Sequence, residues 1–298
     1  MPSMKAIKRR ITSVKNTGKI MKAMNLVAAS KVQKNRAKLE AIRPMFTDAK
    51  RFVNEGINDL DAMDSLYYGT REGKRSAYVV ICGERGLCGG YNTNILKEAL
   101  NHITKEDTEE RVVAVGAKCR EYFVRRGKEV VAEYKGIMDH VSYAEAAKIS
   151  QRLVEMYNHE DPDQRVDAIY IAYTQFETLL SHTPKLVKLL PFGGNAEESG
   201  EGGENGEDEK KKSTAEIIYE PDVATYLDKA VPVYLTMFIY GAMTEAAVCE
   251  QASRMTSMDA AARNAGEIVD DLTLLYNRQR QGAITQEISE IVGGANAI

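Results

Sequence analysis

The stretch that decides the fold is IKRRITSVKNTGKIMKAMNLVAASK, residues 7–31, in which apolar or small side chains recur at alternating spacings of four and three. The pattern continues towards residue 53, and the same rhythm returns near the other end of the chain. The second set of positions is Val248, Gln251, Met255, Met258, Ala262, Ala265, Val269, Leu272 and Tyr276. A period of 3.5 residues is typical of a left-handed supercoil rather than of a helix lying on a globular core.

The two stretches are tethered through the middle of the chain, so they can pair only as an antiparallel coiled coil. We therefore predict one helix over about residues 5–58 and another over about 233–291, each roughly 80–90 Å long. Pro44 should kink the first helix or break one turn, because proline removes a backbone donor. The side chains expected to face inward are Met21, Val32, Leu39, Val269, Leu272 and Tyr276.

The sequence pattern in the middle of the chain is typical of an α/β domain. Short apolar runs at 77–82, 111–115, 129–134 and 166–175, with a possible fifth at 185–190, have the character of strands. Helical segments at 93–103, 118–126 and 143–159 alternate with them. Such alternation predicts a Rossmann-like domain with a mostly parallel sheet and helices on both faces.

The sequence therefore divides into five segments. Residues 1–60 form the first coiled-coil helix and 75–192 the α/β domain. Residues 193–212 (GGNAEESGEGGENGEDEKKK) have almost no apolar side chain and should be a flexible acidic loop. Residues 213–232 form a connection with a short helix from about 221 to 229, and 233–298 form the second coiled-coil helix.

Charge is distributed unevenly along the chain, although the net charge is only −3. Residues 1–43 contain twelve lysines and arginines but a single acid, Glu40. Solvated helix faces usually mix both signs, so this excess indicates an acidic partner. Nucleic acid is one candidate, although the cations overlap the heptad stripe instead of preceding it as in bZIP proteins. Prominent members of the basic helix are Lys8, Arg9, Arg10, Lys19, Lys22 and Lys31.

One glycine-rich segment, GERGLCGGYN at 83–92, lies between a predicted strand and a predicted helix, where a phosphate-binding turn would lie. Its spacing is neither GxGxxG nor GxxxxGK[ST], so a nucleotide-binding enzyme is the weaker interpretation. A tight structural turn or a protein-contact surface formed by Arg85, Leu87 and Cys88 fits better. The four cysteines lack metal-ligand spacing and are expected to be reduced and buried. We predict no catalytic residue, metal or cofactor.

Three separated stretches together resemble a known family. IKRRITSVKNTGKIMKAMNLVAASK at 7–31, GERGLCGGYN at 83–92 and MTSMDAAARNAGEIVDDLTLLYNRQRQGAITQEISEIVGGA at 255–295 are similar to the gamma subunit of bacterial F-type ATP synthases. The resemblance covers essentially the whole chain, in order.

The resemblance implies a non-catalytic rotor shaft. In this family the coiled coil stands inside a ring of three alpha and three beta subunits, and the α/β domain rests with the epsilon subunit on a ring of c subunits. The location implied is peripheral, on the cytoplasmic side of the cell membrane, with no nucleic acid and no small-molecule substrate as partner. Residues implied to contact beta-subunit loops or to influence coupling are Met24, Arg254, Arg280, Gln281, Thr285 and Glu287.

Overall fold

The structure is a computed structural model that describes residues 3–57, 66–69, 71, 75–106, 108–192 and 222–295. The predicted acidic loop at 193–212 lies outside the described residues. In chain order the elements are α1 (Met4–Ile57), β1 (Arg75–Ile81), α2 (Tyr91–Lys105), β2 (Glu109–Val115), α3 (Ala117–Val124), β3 (Val130–Tyr134), α4 (Tyr143–Tyr157), β4 (Ala168–Phe176), β5 (His182–Leu190) and α5 (Val223–Ala295). Each predicted strand and helix of the middle segment is present, with ends displaced by a few residues.

The five strands form a single sheet in the order β3-β2-β1-β4-β5. Strands β1, β2, β3 and β4 are parallel, whereas β5 pairs with β4 in the antiparallel direction. The mostly parallel sheet predicted from the alternation of strands and helices is confirmed. The strand order reverses between β1 and β4, because β2 and β3 extend to one side of β1 and β4 lies on the other.

Helices cover both faces of this sheet. Alternate residues of β1 point to opposite faces, so Val79 packs in a cluster with Leu153 of α4 and Ile239 of α5. Val80, on the other face, packs with α2 and α3. A nearly continuous apolar strand is what a doubly covered sheet requires, and β1 is buried along all but its first residue.

Helix α5 differs from the prediction. A short helix ending near 229 and a separate long helix from 233 were expected, but one helix runs from Val223 to Ala295 with Pro232 inside it. Interior proline costs about 3 kcal/mol. Leu227, Val231 and Leu235 lie on one face of this region and are all at most 1% exposed. Burying such side chains contributes about 1.5–3 kcal/mol each, which outweighs the proline penalty and keeps the helix continuous.

Helix α1 also continues through its proline. Pro44 was expected to kink it or break one turn, yet the helix is unbroken from Met4 to Ile57. A long helix that is already nucleated can propagate on both sides of one missing hydrogen bond. The expectation of a broken turn was therefore wrong.

Packing divides the chain into two compact units. The first consists of Met1–Ser30 and Arg254–Ile298, and the second of Lys31–Ser253. We refer to them as the helix-pair unit and the sheet unit. Helices α1 and α5 each contribute residues to both units.

The part of α5 in the sheet unit is strongly apolar because it is a core helix. Among the described residues, α5 alone is long and apolar enough, by length and composition, to cross a membrane, and 61% of its most apolar window is buried inside the protein. Within it, the hydroxyls of Thr236 and Thr244 donate hydrogen bonds to backbone carbonyls of the same helix, those of Pro232 and Tyr240. The hydrophobicity of this helix is thus accounted for by packing against the sheet.

Candidate functional site

The helix-pair unit has an apolar seam along its length. Asn25 Nδ2 donates to the Met255 carbonyl at 2.8 Å, and a Cβ placed on Gly18 would lie 3.3 Å from the Ala265 Cβ. Since the earlier residue on α1 meets the later residue on α5, the two helices are antiparallel. Small side chains at the seam permit this close approach.

Burial follows the predicted stripe. In the helix-pair unit Ile7, Ala28, Met258, Ala265 and Val269 are at most 9% exposed, and Met21, Leu272 and Tyr276 are half-buried. In the sheet unit, the stripe continues with Val32 and Leu39, which are also buried. The antiparallel pairing and its inward-facing residues, predicted from the 3.5-residue period, are confirmed.

The six proposed coupling residues all lie in the helix-pair unit, in two environments. Met24 and Arg254 are half-buried, whereas Arg280, Gln281, Thr285 and Glu287 are exposed on the last turns of α5. The Thr285 hydroxyl donates to the Gln281 carbonyl at 2.9 Å, which leaves its oxygen available as an acceptor. These four exposed side chains can therefore provide hydrogen-bond donors and acceptors to a neighbouring protein.

The basic positions lie on the outside of α1. Lys8, Arg9, Arg10, Lys19, Lys22 and Lys31 are all exposed. Within the described part of the chain, none of these six side chains forms an ion pair, in contrast to Arg36, whose Nε lies 3.0 Å from a carboxylate oxygen of Glu40. Cations without local partners keep their charge available for an acidic surface.

Exposed apolar side chains accompany these cations, and sequence reasoning identified only those at the end of α5, from Ile291 onward, as apolar residues that need an apolar surrounding. On α1, Ile20, Leu26 and Val27 are 58%, 71% and 58% exposed. On α5, Leu274 and Ile291 are 70% and 72% exposed. A helix that is apolar on faces other than its seam is typical of one that is covered by other protein. The sequence signal was present as apolar residues outside the heptad positions.

The glycine-rich turn, residues 83–90, connects β1 to α2 in the sheet unit. Its first amide, Gly83 N–H, donates to Asn92 Oδ1 at 2.8 Å. A Cβ placed on Gly83 would lie 2.9 Å from the Glu250 Cδ, so only glycine fits there without a shift. Glu250 itself is 4% exposed on α5. The turn is thus fitted closely against a buried carboxyl group.

Two hydrogen bonds hold the turn and the first residue of α2 to α5. Tyr91 donates its hydroxyl to the Ala246 carbonyl at 3.1 Å, and Ser253 donates its hydroxyl to the Cys88 carbonyl at 2.7 Å. Burial, as the largest cause, raises the pKa of Tyr91 well above its ordinary value. These contacts lie where the strand order reverses between β1 and β4.

In open α/β sheets a ligand binds in the crevice at the carboxyl ends of the strands where the order reverses. Here that crevice is occupied by the chain's own α5, with Glu250 against Gly83. A buried carboxyl group beside the turn is electrostatically unfavourable for phosphate. The geometry therefore argues against the nucleotide-binding alternative, and a structural turn accounts for the glycines. Within the described residues, no group of three His, Cys, Asp or Glu side chains could hold a metal ion.

The three predicted contact residues of the turn have different environments. The Arg85 side chain is 76% exposed and pairs with Asp139 at 3.1 Å. Leu87 is 56% exposed and adopts φ 63°, a conformation that holds its side chain outward on a fixed backbone. Cys88, in contrast, is 2% exposed and packs with Tyr91 and Cys249. Arg85 and Leu87 can thus face a partner, whereas Cys88 supports the turn from within.

All four cysteines lie in the described part of the chain and are buried as thiols. Burial is the largest cause that raises the pKa of the Cys82 and Cys249 thiols, which disfavours the reactive thiolate. The expectation of buried, reduced cysteines agrees with this structure.

Comparisons with known proteins agree with the geometry. A family model described as ATP synthase matches residues 3–298. The ATP synthase gamma chain of Alkaliphilus metalliredigens is 39% identical over 99% of this chain and 98% of the relative. A gamma chain described as sodium ion specific, from Acetobacterium woodii, is 38% identical over 98% of this chain and 97% of the relative.

Solved structures share the fold. A chain of the Euglena gracilis mitochondrial ATP synthase superposes with a TM-score of 0.68 at 16% identity, covering 99% of this chain and 94% of that chain. A chain of the Tetrahymena thermophila mitochondrial ATP synthase, from a structure of the central stalk and c-ring, gives 0.61 at 23% identity, covering 81% and 99%. With its full-length sequence relatives and this shared fold, the chain belongs to the family of ATP synthase gamma chains, the non-catalytic central-stalk subunits of the membrane-associated F-type complex.

Proposed function

We propose that the chain is the rotating shaft that couples transmembrane ion flow to ATP synthesis or hydrolysis at the beta subunits of an alpha3-beta3 ring. The observation that carries the proposal is the helix-pair unit, in which a buried seam is combined with an outer surface of exposed cations and exposed apolar side chains. The seam gives stiffness, and the outer surface has the chemistry of a protein-contact surface.

The proposed partners follow from family membership. The helix-pair unit would stand among the alpha and beta subunits, and the sheet unit would contact the epsilon subunit and the ring of c subunits. The chain would be peripheral, on the cytoplasmic side of the membrane. Apart from the boundary at 232/233, which α5 crosses without a break, the five-segment division drawn from the sequence, including the flexible loop at 193–212, stays a prediction within this proposal.

Coupling in this proposal is a difference in binding energy between shaft angles. An asymmetric rigid element favours one beta-subunit conformation at one angle and another conformation at the next. The exposed side chains of Arg280, Gln281, Thr285 and Glu287 can make directional hydrogen bonds that form and break as the shaft turns. Bonds to charged groups contribute on the order of 1.5–3 kcal/mol each, enough to select a conformation and still release it.

Met24 has a different role in the proposal. It is half-buried, two residues from the exposed Lys22. Met24→Lys would add a cation near the acidic loops of the ring, and an over-strong contact at one angle would raise the barrier to rotation.

The test is the ratio of ATP-driven ion pumping to ATP hydrolysis in reconstituted membranes. We expect Met24→Lys and Gln281→Ala to lower this ratio several-fold, and Met24→Leu, which conserves volume and polarity, to leave it near the parent value. Unchanged ratios for both test variants would mean that the proposed coupling contacts are wrong.

The two other functions suggested by the sequence have less support. The nucleic-acid interpretation rested on the basic helix, which here is paired along a buried seam and has exposed apolar residues among its cations. The enzyme interpretation rested on the glycine-rich turn, whose crevice is occupied by α5. Neither alternative explains the full-length similarity to gamma chains.

A further inference from the structure

A polar side chain crosses the apolar seam of the helix-pair unit. Asn25 lies in the stripe of α1 between Met21 and Ala28, is half-buried, and donates from Nδ2 to the Met255 carbonyl at 2.8 Å. A carbonyl oxygen has two lone pairs, so that of Met255 can accept this bond in addition to the one within α5. Asparagine at a seam position costs stability, but it specifies how two helices are aligned.

The seam around this bond is built from small side chains. A Cβ on Gly18 would lie 3.3 Å from the Ala265 Cβ, and Ala28 and Ala262 are buried. Apolar packing is non-directional, so such a seam opposes separation of the helices more than rotation of each helix about its own axis. A hydrogen bond weakens steeply as its angle departs from linear, so the Asn25 bond opposes that rotation.

The two residues that this bond joins are chain neighbours of two residues proposed above for coupling. Met24 precedes Asn25 and Arg254 precedes Met255, and both are half-buried. Successive side chains on a helix point about 100° apart, so the rotation of α1 sets the direction of Met24 and that of α5 sets the direction of Arg254. A bond that holds the two rotations together therefore fixes the angle between these two side chains.

We propose that Asn25 is a positioning residue for coupling, because its hydrogen bond to the Met255 carbonyl holds Met24 and Arg254 at a fixed angle to each other. The inference rests on the function proposed above. It gives Asn25 a contribution to coupling that is separate from stability, since an apolar residue of the same size would pack in the seam at least as well.

Two variants of similar shape separate this role from a structural one, since Asn25→Leu and Asn25→Asp both lose the amide donor. Leucine adds apolar burial, so its urea-unfolding midpoint should equal or exceed the parent's. Aspartate places an oxygen against the Met255 carbonyl oxygen, so its midpoint should fall. In membranes reconstituted with the full complex, both should lower the ratio of ATP-driven ion pumping to ATP hydrolysis about two- to tenfold, the range that one hydrogen bond spans.

The matched control is Asn35→Leu. Asn35 is a half-buried asparagine on the same stripe of α1, and within the described residues its side chain forms no hydrogen bond to α5. Its pumping ratio should stay at the parent value. A parent ratio for Asn25→Leu, or an equal fall for Asn25→Leu and Asn35→Leu, overturns the proposal.

A disulfide across the seam provides a second measurement. Gly18→Cys with Ala265→Cys, added to Asn25→Leu, should fix the rotation of the two helices covalently. Oxidation should then restore the pumping ratio, and dithiothreitol should lower it again, while the four native thiols are buried. A ratio that stays low although the disulfide has formed counts against the proposal.

The outcomes also distinguish this inference from the shaft proposal. If the parent complex hydrolyses ATP but pumps no ions, the shaft proposal fails and the role of Asn25 fails with it. If the parent pumps ions and Asn25→Leu pumps them equally well, only the role of Asn25 is refuted.

Discussion

Glu245 is a half-buried residue of α5 whose carboxyl group lies near α1 and β4 within the sheet unit. Its surroundings include a cavity of about 50 Å³ lined by Leu39, Arg43, Tyr173 and Phe238, and one of its oxygens has no hydrogen-bond partner in the described part of the chain. Burial, the largest cause, raises the pKa of Glu245 to about 7, while a backbone hydrogen bond from Phe176 and the charges of Arg43 and Lys185 oppose the rise. The site favours the neutral acid.

This shift predicts how stability depends on pH. The folded chain holds the Glu245 proton more tightly than the unfolded chain, whose glutamate titrates near 4.5, so stability falls as the pH rises from about 4.5 through 7. Glu245→Gln, which mimics the neutral acid, should match the parent at pH 5 and exceed it at pH 8 by on the order of 2–3 kcal/mol. Urea unfolding at the two pH values measures this. A constant difference between variant and parent would show that Glu245 is ionised in the fold.

Gly116 directly follows β2 and lies next to the carboxyl ends of β1 and β3. Its amide donates to the Tyr134 carbonyl, its φ is 92°, and a Cβ there would lie 2.3 Å from the Cys82 carbonyl oxygen. We expect Gly116→Ala to lower the free energy of unfolding by about 3 kcal/mol or more, from strain and overpacking together.

The matched control for Gly116 is Gly127→Ala. Gly127 has φ 69° with nothing within 4 Å of its Cβ position, so this variant should cost only the left-handed backbone penalty of about 1–2 kcal/mol. Thermal unfolding compares the two variants. Equal losses would mean that the Cys82 contact relaxes at no cost.

The burial of individual side chains by distant elements, as at Glu245 and Gly116, could not be predicted from the sequence. The glycine-rich turn could be located between a strand and a helix, but its buried neighbour Glu250 comes from a helix more than a hundred residues away. Cys88 was expected at a contact surface for the same reason, since nothing local shows that Tyr91 and Cys249 cover it. Burial depends on which other element packs on a segment, and the local pattern of apolar residues does not predict which element that is.

At the scale of elements, the antiparallel seam allows a direct cross-link. The Gly18 and Ala265 Cβ positions are 3.3 Å apart, close to the roughly 3.8 Å that a disulfide requires. Gly18→Cys with Ala265→Cys should therefore form a disulfide readily under mild oxidation, seen as a mobility shift on non-reducing gels. Lys19→Cys with Ala265→Cys is the control, because Lys19 is exposed and points away from the seam. Equal cross-linking of the two pairs would contradict the register.

Periodicity predicted the seam well because a coiled coil is specified by spacing alone. The stripe from Ile7 to Leu39 was identified without knowing any tertiary contact, and it is the stripe that is buried. The unbroken path of α5 through Pro232 could not be predicted in this way. Proline is a strong local signal for a helix boundary, and it was overridden by the burial of Leu227, Val231 and Leu235, a contribution that exists only once the sheet has formed.

For the whole molecule, the charge distribution predicts how assembly responds to salt. The net charge is only −3, yet the exposed outer side of α1 is strongly basic. If the ring presents acidic loops, raising the salt from about 0.05 to about 0.5 M should slow association at least about tenfold, because screening removes the steering force. Stopped-flow measurement of the association rate with the alpha3-beta3 ring provides the test.

A charge-removing variant gives the control for this salt effect. Lys8→Gln/Lys19→Gln/Lys22→Gln should flatten the salt dependence, whereas Lys148→Gln, at a site already paired with Glu145 in the sheet unit, should not. Identical slopes for the triple variant and the parent would indicate that the basic helix does not guide assembly.

The helix-pair unit also has a consequence for biosynthesis. Asn25 and Met255 are joined by a hydrogen bond although they are 230 residues apart in the chain. Because the ribosome synthesises Asn25 long before Met255, the apolar residues of α1 in the helix-pair unit stay unpaired while the sheet unit is translated and folds. During that interval the exposed stripe of the nascent helix is open to chaperones and to wrong partners, and its correct partner is among the last residues to emerge.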